Sequence, residues 1–327
     1  MDDNNVFLSV NDLVVEYTSD KKIIYAVNGV SLKLEKGKTL GLVGETGAGK
    51  TTIAKSILRI LPDPPAKIKS GQCIVGGEDM MQKTEKEMLD IRGNKISMIF
   101  QDPMTALNPI MTVGEQIAEV IKLHDKSLNK KQAFAKAMDA LEMVGIKAER
   151  GGEFPFQFSG GMKQRVVIAM ALASNPELLL ADEPTTALDV TIQAQILSMI
   201  KELQQRQNTS MLLITHDLGV VAETCDDTAV IYAGEIVESG SKEDIFDHPA
   251  HPYTIGLFAA LPKLNEETDR LNPIKGMTPD PSELPEGCKF HPRCEFAEKK
   301  CKCEQIPMVE VSPGHFCRCC RVNELER

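Results

Sequence analysis

The chain has 327 residues, 42% hydrophobic and 26% charged, which allows one large domain with an appendage, or two domains. A net charge of -10, only 5% aromatics and no Trp argue against a nucleic-acid partner, which wants a basic face or a stacking platform. There is no apolar run long enough for a transmembrane helix, and the opening MDDNNVFLSV lacks the basic-then-apolar order of a secretory signal, so a cytoplasmic chain is expected.

Residues 7–10 and 13–17 read as a first pair of short strands, followed by a turn at Asp20 and a further alternating strand over 26–34. Thr39–Val43 is an apolar strand leading into a glycine-rich loop, and 51–60 reads as a helix stopped before Pro62. Residues 69–80 predict strand, turn and strand, with Gly76 and Gly77 in the turn. Ile96–Phe100 is a compact strand ending at Gln101. A helical pattern runs from Thr112 to Met143, broken by polar residues 126–131 and closed by Gly145. Ser159 to Gly161 opens a helix through Ala173. Leu178–Ala181 is a core strand delivering Asp182 and Glu183. A helix over 191–207, a strand over 210–215 and a hairpin around Gly234 follow. Five prolines between 261 and 287 mark a linker or extended arm.

The glycine loop reads Gly44, Glu45, Thr46, Gly47, Ala48, Gly49, Lys50, Thr51, the pattern GxxxxGK[ST]. Its backbone N–H groups can form a nest for phosphate oxygens, continued by Thr52 and the following helix start. Lys50 should reach the β- and γ-phosphates, and the Thr51 hydroxyl should ligate Mg²⁺. Asp182 is placed to hold Mg²⁺, and Glu183 to polarise the attacking water. His216 can donate to the γ-phosphate, while Gln101 can ligate Mg²⁺ and sense that phosphate.

A second phosphate grip is legible at FSGGMKQ, 158–164. Ser159, Gly160 and Gly161 start a helix with exposed N–H groups and a favourable dipole. Its distance along the chain from Lys50 suggests that it serves the phosphate of a partner chain. ATP would then be held between two head-to-tail copies of one fold.

These motifs resemble the ATP-binding subunits of ABC transporters over about residues 7–260. The resemblance rests on GETGAGKT (44–51), Gln101, FSGGMKQR (158–165), LLLADEP (178–184), TALD (186–189) and His216. It implies an α/β fold: a RecA-like P-loop NTPase core, an antiparallel β subdomain and a helical subdomain near 104–173. It implies that Asp189 lies in the loop coupling two ATP sites, and that an N-terminal aromatic stacks on adenine. Tyr17 suits that position best; Tyr25 competes, and either could be packing instead. Met162 stands where the commonest family form has another residue, but the Ser-Gly-Gly grip is intact.

Of nine cysteines, seven lie between Cys288 and Cys320. In a cytoplasmic chain such a cluster more often holds metal than disulfides. The spacing suits an iron-sulfur cluster somewhat better than zinc. HPYTIGL (251–257), GCKFHPRC (287–294) and PGHFCRC (313–319) resemble the extension of oligopeptide and dipeptide permease ATPases, in which four cysteines are associated with a [4Fe-4S] cluster. Carried over, they are Cys288, Cys294, Cys301 and Cys319. Cys303, Cys317 and Cys320 are additional and leave the fourth ligand open; Zn²⁺ is the alternative. The chain then divides into a nucleotide-binding domain over 1–260 and an arm with a cysteine-rich extension over 261–327.

The implied function is ATP-driven import of di- or oligopeptides at the cytoplasmic face of the membrane. The implied partners are a second, paralogous ATPase, two permease subunits and, indirectly, an extracytoplasmic peptide-binding protein. Import of nickel or another small solute is the alternative within transport. A non-transport ABC ATPase acting on nucleic acid or in translation is disfavoured by the single cassette.

Overall fold

One long strand, Val6–Ser19, takes the place of the two short strands expected at 7–10 and 13–17. Asp12 turns the chain between them at φ 45°, and the pairing with Ala66–Val75 slips register between Asn11 and Val14. A bulge thus absorbs the bend without ending the strand. The structure is a computed structural model describing residues 5–19, 22–186, 188–260 and 273–322. Asp20 and Lys21 of the expected turn, Ala187 of TALD, and 261–272 of the expected arm with Pro262 lie outside the described residues.

The chain forms two compact units. The first comprises 1–33, 40–81 and 215–327. It holds an antiparallel sheet in the order Lys22–Glu35, Val6–Ser19, Ala66–Val75, Glu78–Asp79. It also holds the strand run Val309–Ser312, His315–Cys317, Glu235–Ser241, Asp227–Tyr232 and Thr39–Val43. Thr39–Val43 is buried throughout and pairs parallel with Asp227–Tyr232. The glycine loop springs from its carboxyl end. The helix after it, Lys50–Ile57, stops short of the expected residue 60 because Arg59 takes a left-handed φ of 50°. The hairpin expected around Gly234 is formed by Asp227–Tyr232 and Glu235–Ser241.

The second unit comprises 34–39 and 82–214. Its strands Ser210–Thr215, Leu178–Asp182 and Ile96–Ile99 run parallel, with every residue buried. That explains their unbroken apolar sequence, since parallel strands are covered on both faces. Helices Val113–His124 and Lys130–Met143 flank the expected polar break. Each begins with a capping box, Thr112 with Glu115 and Asn129 with Gln132. The same device starts a helix that the sequence reading missed, Glu85–Ile91, capped by Thr84 and Glu87. Gly160–Leu172 carries Val166, Val167, Ile168, Ala169, Ala171 and Leu172 all buried, a helix covered on most of its faces.

Candidate functional site

In the first unit, the loop 44–49 leaves the buried strand end and enters the helix through Gly49. Gly49 stands at φ 103°, and a Cβ there would lie 2.4 Å from the Ala26 carbonyl oxygen, so only glycine fits. Lys50 is buried, and its Nζ donates to the carbonyls of Gly44 at 2.6 Å and Glu45 at 3.0 Å. Its ammonium is thereby folded back over the loop that the pattern assigns to phosphate. Thr46 and Gly47 are exposed at the loop tip, and Thr51 is half-buried on the first helical turn. Tyr17 shares a hydrogen bond with Thr52, hydroxyl to hydroxyl, at 3.3 Å. This ties the first strand to the helix that follows the loop. The Tyr25 side chain is exposed, and its backbone N–H donates to the Pro281 carbonyl in the proline-rich arm. His216 is exposed one residue beyond the strand Ser210–Thr215, followed by Asp217, which caps the helix Leu218–Thr224.

Glu45 is held on every polar group by its own unit. Its N–H donates to the Tyr253 hydroxyl oxygen at 3.1 Å, and its carbonyl accepts from Lys50. Its carboxylate accepts a two-pronged pair from Arg293, at 2.8 and 3.1 Å, and a bond from the Thr278 hydroxyl at 2.9 Å. Glu45 was expected as one more lining residue of the phosphate nest. In the structure it is also the point where the arm and extension grip the loop. Tyr253 belongs to the HPY sequence, and burial pushes its phenol well above the ordinary tyrosine range. His251 of the same sequence accepts from the Tyr253 N–H at 3.0 Å, and burial holds its imidazole down to about 4.

In the second unit, Leu178–Asp182 delivers a buried Asp182 and a half-buried Glu183. Glu183 takes φ 45°, a conformation that costs a non-glycine residue of its size and recurs at functional turns. Its carboxylate accepts from Gln101 Nε2 and from the Thr186 hydroxyl, both at 2.8 Å. The amide of Gln101 is spent on Glu183, which leaves its carbonyl oxygen as the end suited to a cation.

The segment expected to grip a second phosphate starts a helix in this unit. Ser159 is the N-cap of Gly160–Leu172, its hydroxyl accepting from the Met162 N–H at 3.4 Å. Ser159 and Gly160 are exposed, while a Cβ on Gly161 would meet Ile192 Cγ2 at 2.8 Å. Gly161 therefore serves close helix packing. Gln164, buried one turn further on, donates to the Pro184 carbonyl at 2.5 Å. It fastens the grip to the turn that carries Glu183. Asp189 caps the helix Val190–Gln207 by accepting from the Ile192 N–H at 3.0 Å.

Five cysteines line one small cavity in the first unit: Cys288, Cys294, Cys301, Cys319 and Cys320. Cys301 and Cys320 approach to 3.2 Å between sulfurs. Cys303 is exposed, and Cys317 is buried in a separate cluster with Ala250 and Val322. Among the described residues, no three His, Cys, Asp or Glu side chains are gathered closely enough to hold a single metal ion. Burial pushes the Cys288 thiol up to about 11 and Cys320 up to about 12. The histidines of the segment have structural partners: His291 Nδ1 lies 2.9 Å from the Cys288 carbonyl, and His315 Nε2 lies 2.8 Å from Glu238. Arg293, Tyr253 and Glu238 were not singled out from sequence. Only the proximity of Arg293 to Cys294 and of Tyr253 to His251 in quoted motifs hinted at them.

A family model described as ABC transporter matches residues 27–186, and one described as oligopeptide/dipeptide transporter, C-terminal region, matches 237–301. The chain is 48% identical over 317 residues to the oligopeptide transport ATP-binding protein AppD of Bacillus subtilis (strain 168), covering 96% of each chain. It is 50% identical over 289 residues to the dipeptide transport ATP-binding protein DppD of the same organism, covering 88% of this chain and 86% of that one. Among solved structures, the ATP-binding cassette MJ0796 in a dimeric post-hydrolysis state bound to ADP and Pi is 26% identical. It superposes with a TM-score of 0.65 and covers 72% of this chain and 98% of that chain.

Proposed function

The chain belongs to the ABC transporter ATP-binding family, and from that premise we propose that its ATPase activity drives import of di- or oligopeptides. The observation that carries the peptide reading is the joining, in one chain, of the cassette to the oligopeptide/dipeptide C-terminal region over 237–301. The relatives named for oligopeptide and dipeptide transport match 96% and 88% of this chain. Among the described residues no helix is long and apolar enough to cross a membrane. Two permease subunits would supply the path, a second and non-identical ATPase would complete the dimer, and an extracytoplasmic binding protein would deliver peptide. The chain would then work at the cytoplasmic face of the membrane.

Each chemical role rests on the residue types present. Lys50 and the N–H groups of the loop balance phosphate charge. The Thr51 hydroxyl, the Asp182 carboxylate and the Gln101 carbonyl are oxygen donors, the set that suits Mg²⁺, which would neutralise charge on the phosphates. Glu183, oriented by Gln101 and Thr186, takes the proton of the attacking water. His216 donates to the γ-phosphate. Ser159, Gly160 and Gly161 serve the ATP of the partner ATPase, and Asp189 couples the two sites. Tyr17 stacks on adenine.

Cys288, Cys294, Cys301 and Cys319 would hold a [4Fe-4S] cluster. Their convergence on one cavity supports this. Cys320 lines the same cavity and competes with Cys319 as the fourth ligand, whereas Cys303 is exposed and Cys317 lies in a separate buried cluster. When bound, the cluster would cross-link a segment with few apolar residues of its own. Anaerobic purification with iron and sulfide analysis decides it: four irons per chain support the cluster, and one zinc overturns it.

The functional reading is tested by reconstituting the chain with its permease and ATPase partners in vesicles. ATP-dependent uptake of labelled di- and oligopeptides is the expected result. Uptake of nickel without peptide would overturn it. In the same vesicles Glu183→Gln should trap an ATP-bound dimer and cut turnover by about a hundredfold or more. Unchanged phosphate release would remove Glu183 as the base.

A further inference from the structure

The second residue of the glycine loop, Glu45, is an acid in a loop that must receive a triphosphate. A bare carboxylate there would repel the ligand. Glu45 is not bare: the Arg293 guanidinium meets it fork to fork, at 2.8 Å from Nη1 and 3.1 Å from Nη2. Arg293 is 6% exposed and Glu45 27%, so the pair is largely withdrawn from water and weakly screened.

Arg293 is itself fixed on several sides. Nη1 also donates to the Tyr232 hydroxyl at 3.3 Å, and Nε donates to the Lys275 carbonyl at 3.2 Å. The guanidinium lies 5.7 Å from the Tyr232 ring centre and 5.9 Å from that of Phe290. A planar fork matched to a carboxylate and held in this way is pre-organised. We propose that Arg293 is a positioning residue for ATP: it cancels the Glu45 charge and pins the loop in the shape that receives the triphosphate. The extension thereby sets the ATP affinity of the cassette. The proposal needs only that the loop binds ATP, and is independent of what the cysteines hold.

The test is a cycle of variants in the full chain, read by Mg-ATP binding calorimetry and by steady-state ATPase kinetics. Arg293→Ala should weaken ATP binding about tenfold, the order expected for one uncompensated charge at short range. KM should rise to match while kcat stays within about twofold. Glu45→Gln removes the charge and with it the repulsion, while keeping one acceptor oxygen and turning an NH₂ toward the other arm of the fork, so it should bind at least as tightly as Arg293→Ala and close to the wild type. The double variant should recover to within about threefold of wild type, because the charge that Arg293 cancels is gone. A purely structural role, packing against Tyr232 and Phe290, predicts a double variant as weak as Arg293→Ala. That result, or wild-type affinity in Arg293→Ala, overturns the proposal. Should Arg293→Ala fail to fold, Arg293→Gln decides: it keeps a planar donor, loses the charge, and should weaken binding about tenfold, with rescue by Glu45→Gln. Wild-type affinity in Arg293→Gln, or no rescue, overturns the proposal equally.

Discussion

Replacing Glu238 with Ala should detach the cysteine-rich extension from its sheet. Glu238 lies in the strand Glu235–Ser241, fully buried, opposite Cys317 in the pairing with His315–Cys317. Its carboxylate accepts from the Ala250 N–H at 2.6 Å and the His251 N–H at 2.9 Å. The imidazole of His315, also buried, lies 2.8 Å away. One side chain thus satisfies the start of the HPY turn and the last strand of the extension together. Its removal leaves three polar groups without a partner in a site closed to water. At about 1–3 kcal/mol for each, reduced by local relaxation, the loss should reach roughly 3–5 kcal/mol. Glu238→Gln keeps the shape and one acceptor but turns an NH₂ toward a donor, and should cost about 1–2 kcal/mol.

Hydrogen exchange of residues 309–322, measured beside urea unfolding of the full chain, reads both effects. The Ala variant should lose protection over His315–Cys317 before the rest of the chain, with Gln intermediate. A cost under about 1 kcal/mol with those amides still protected would refute Glu238 as the joint.

Gly49→Ala should reduce ATP binding at least about tenfold by calorimetry, because left-handed strain of roughly 1–3 kcal/mol adds to a contact with the Ala26 carbonyl. Binding within twofold of wild type would mean that the loop tolerates a different backbone. Stability should also fall with pH through His251, whose buried imidazole titrates near 4, against about 6.5 when unfolded. The unfolded chain takes up that proton first, so the contribution is complete above about pH 6.5, declines toward pH 4 and is flat below, a span worth roughly 3 kcal/mol. His251→Asn retains a capping acceptor without a titrating ring, and its urea midpoint should vary less across that window; an unchanged slope would assign the effect elsewhere.

The glycine loop, the acidic turn and the helix start at Ser159 were legible because each is local. Glycine spacing, a buried strand and the residue just after it can be read within a dozen positions. Gln101 and Glu183 were legible as two strand ends, but their hydrogen bond joins residues 82 apart and leaves no spacing signal. The long first strand was misread as two because Asp12 looks like a turn residue, and only its partner strand shows that the turn is a bulge. The fastening of the extension left no such local signal. What fastens it is polar and distant: Glu238 to His315, and Glu45 to Arg293, which are 248 residues apart.

These distant fastenings make physical sense of a cassette that carries an extension. HPY supplies Tyr253 to the Glu45 N–H, and GCKFHPRC supplies Arg293 to the Glu45 carboxylate. Two separate parts of the C-terminal region therefore close on one residue of the phosphate loop, from its backbone and from its side chain. A loop rich in glycine has many conformations to lose when it accepts a triphosphate. Holding Glu45 at both ends removes part of that freedom before ATP arrives, which strengthens binding without adding any contact to ATP itself. Loss of the extension should then weaken nucleotide binding even though no residue beyond 216 is assigned to the phosphates.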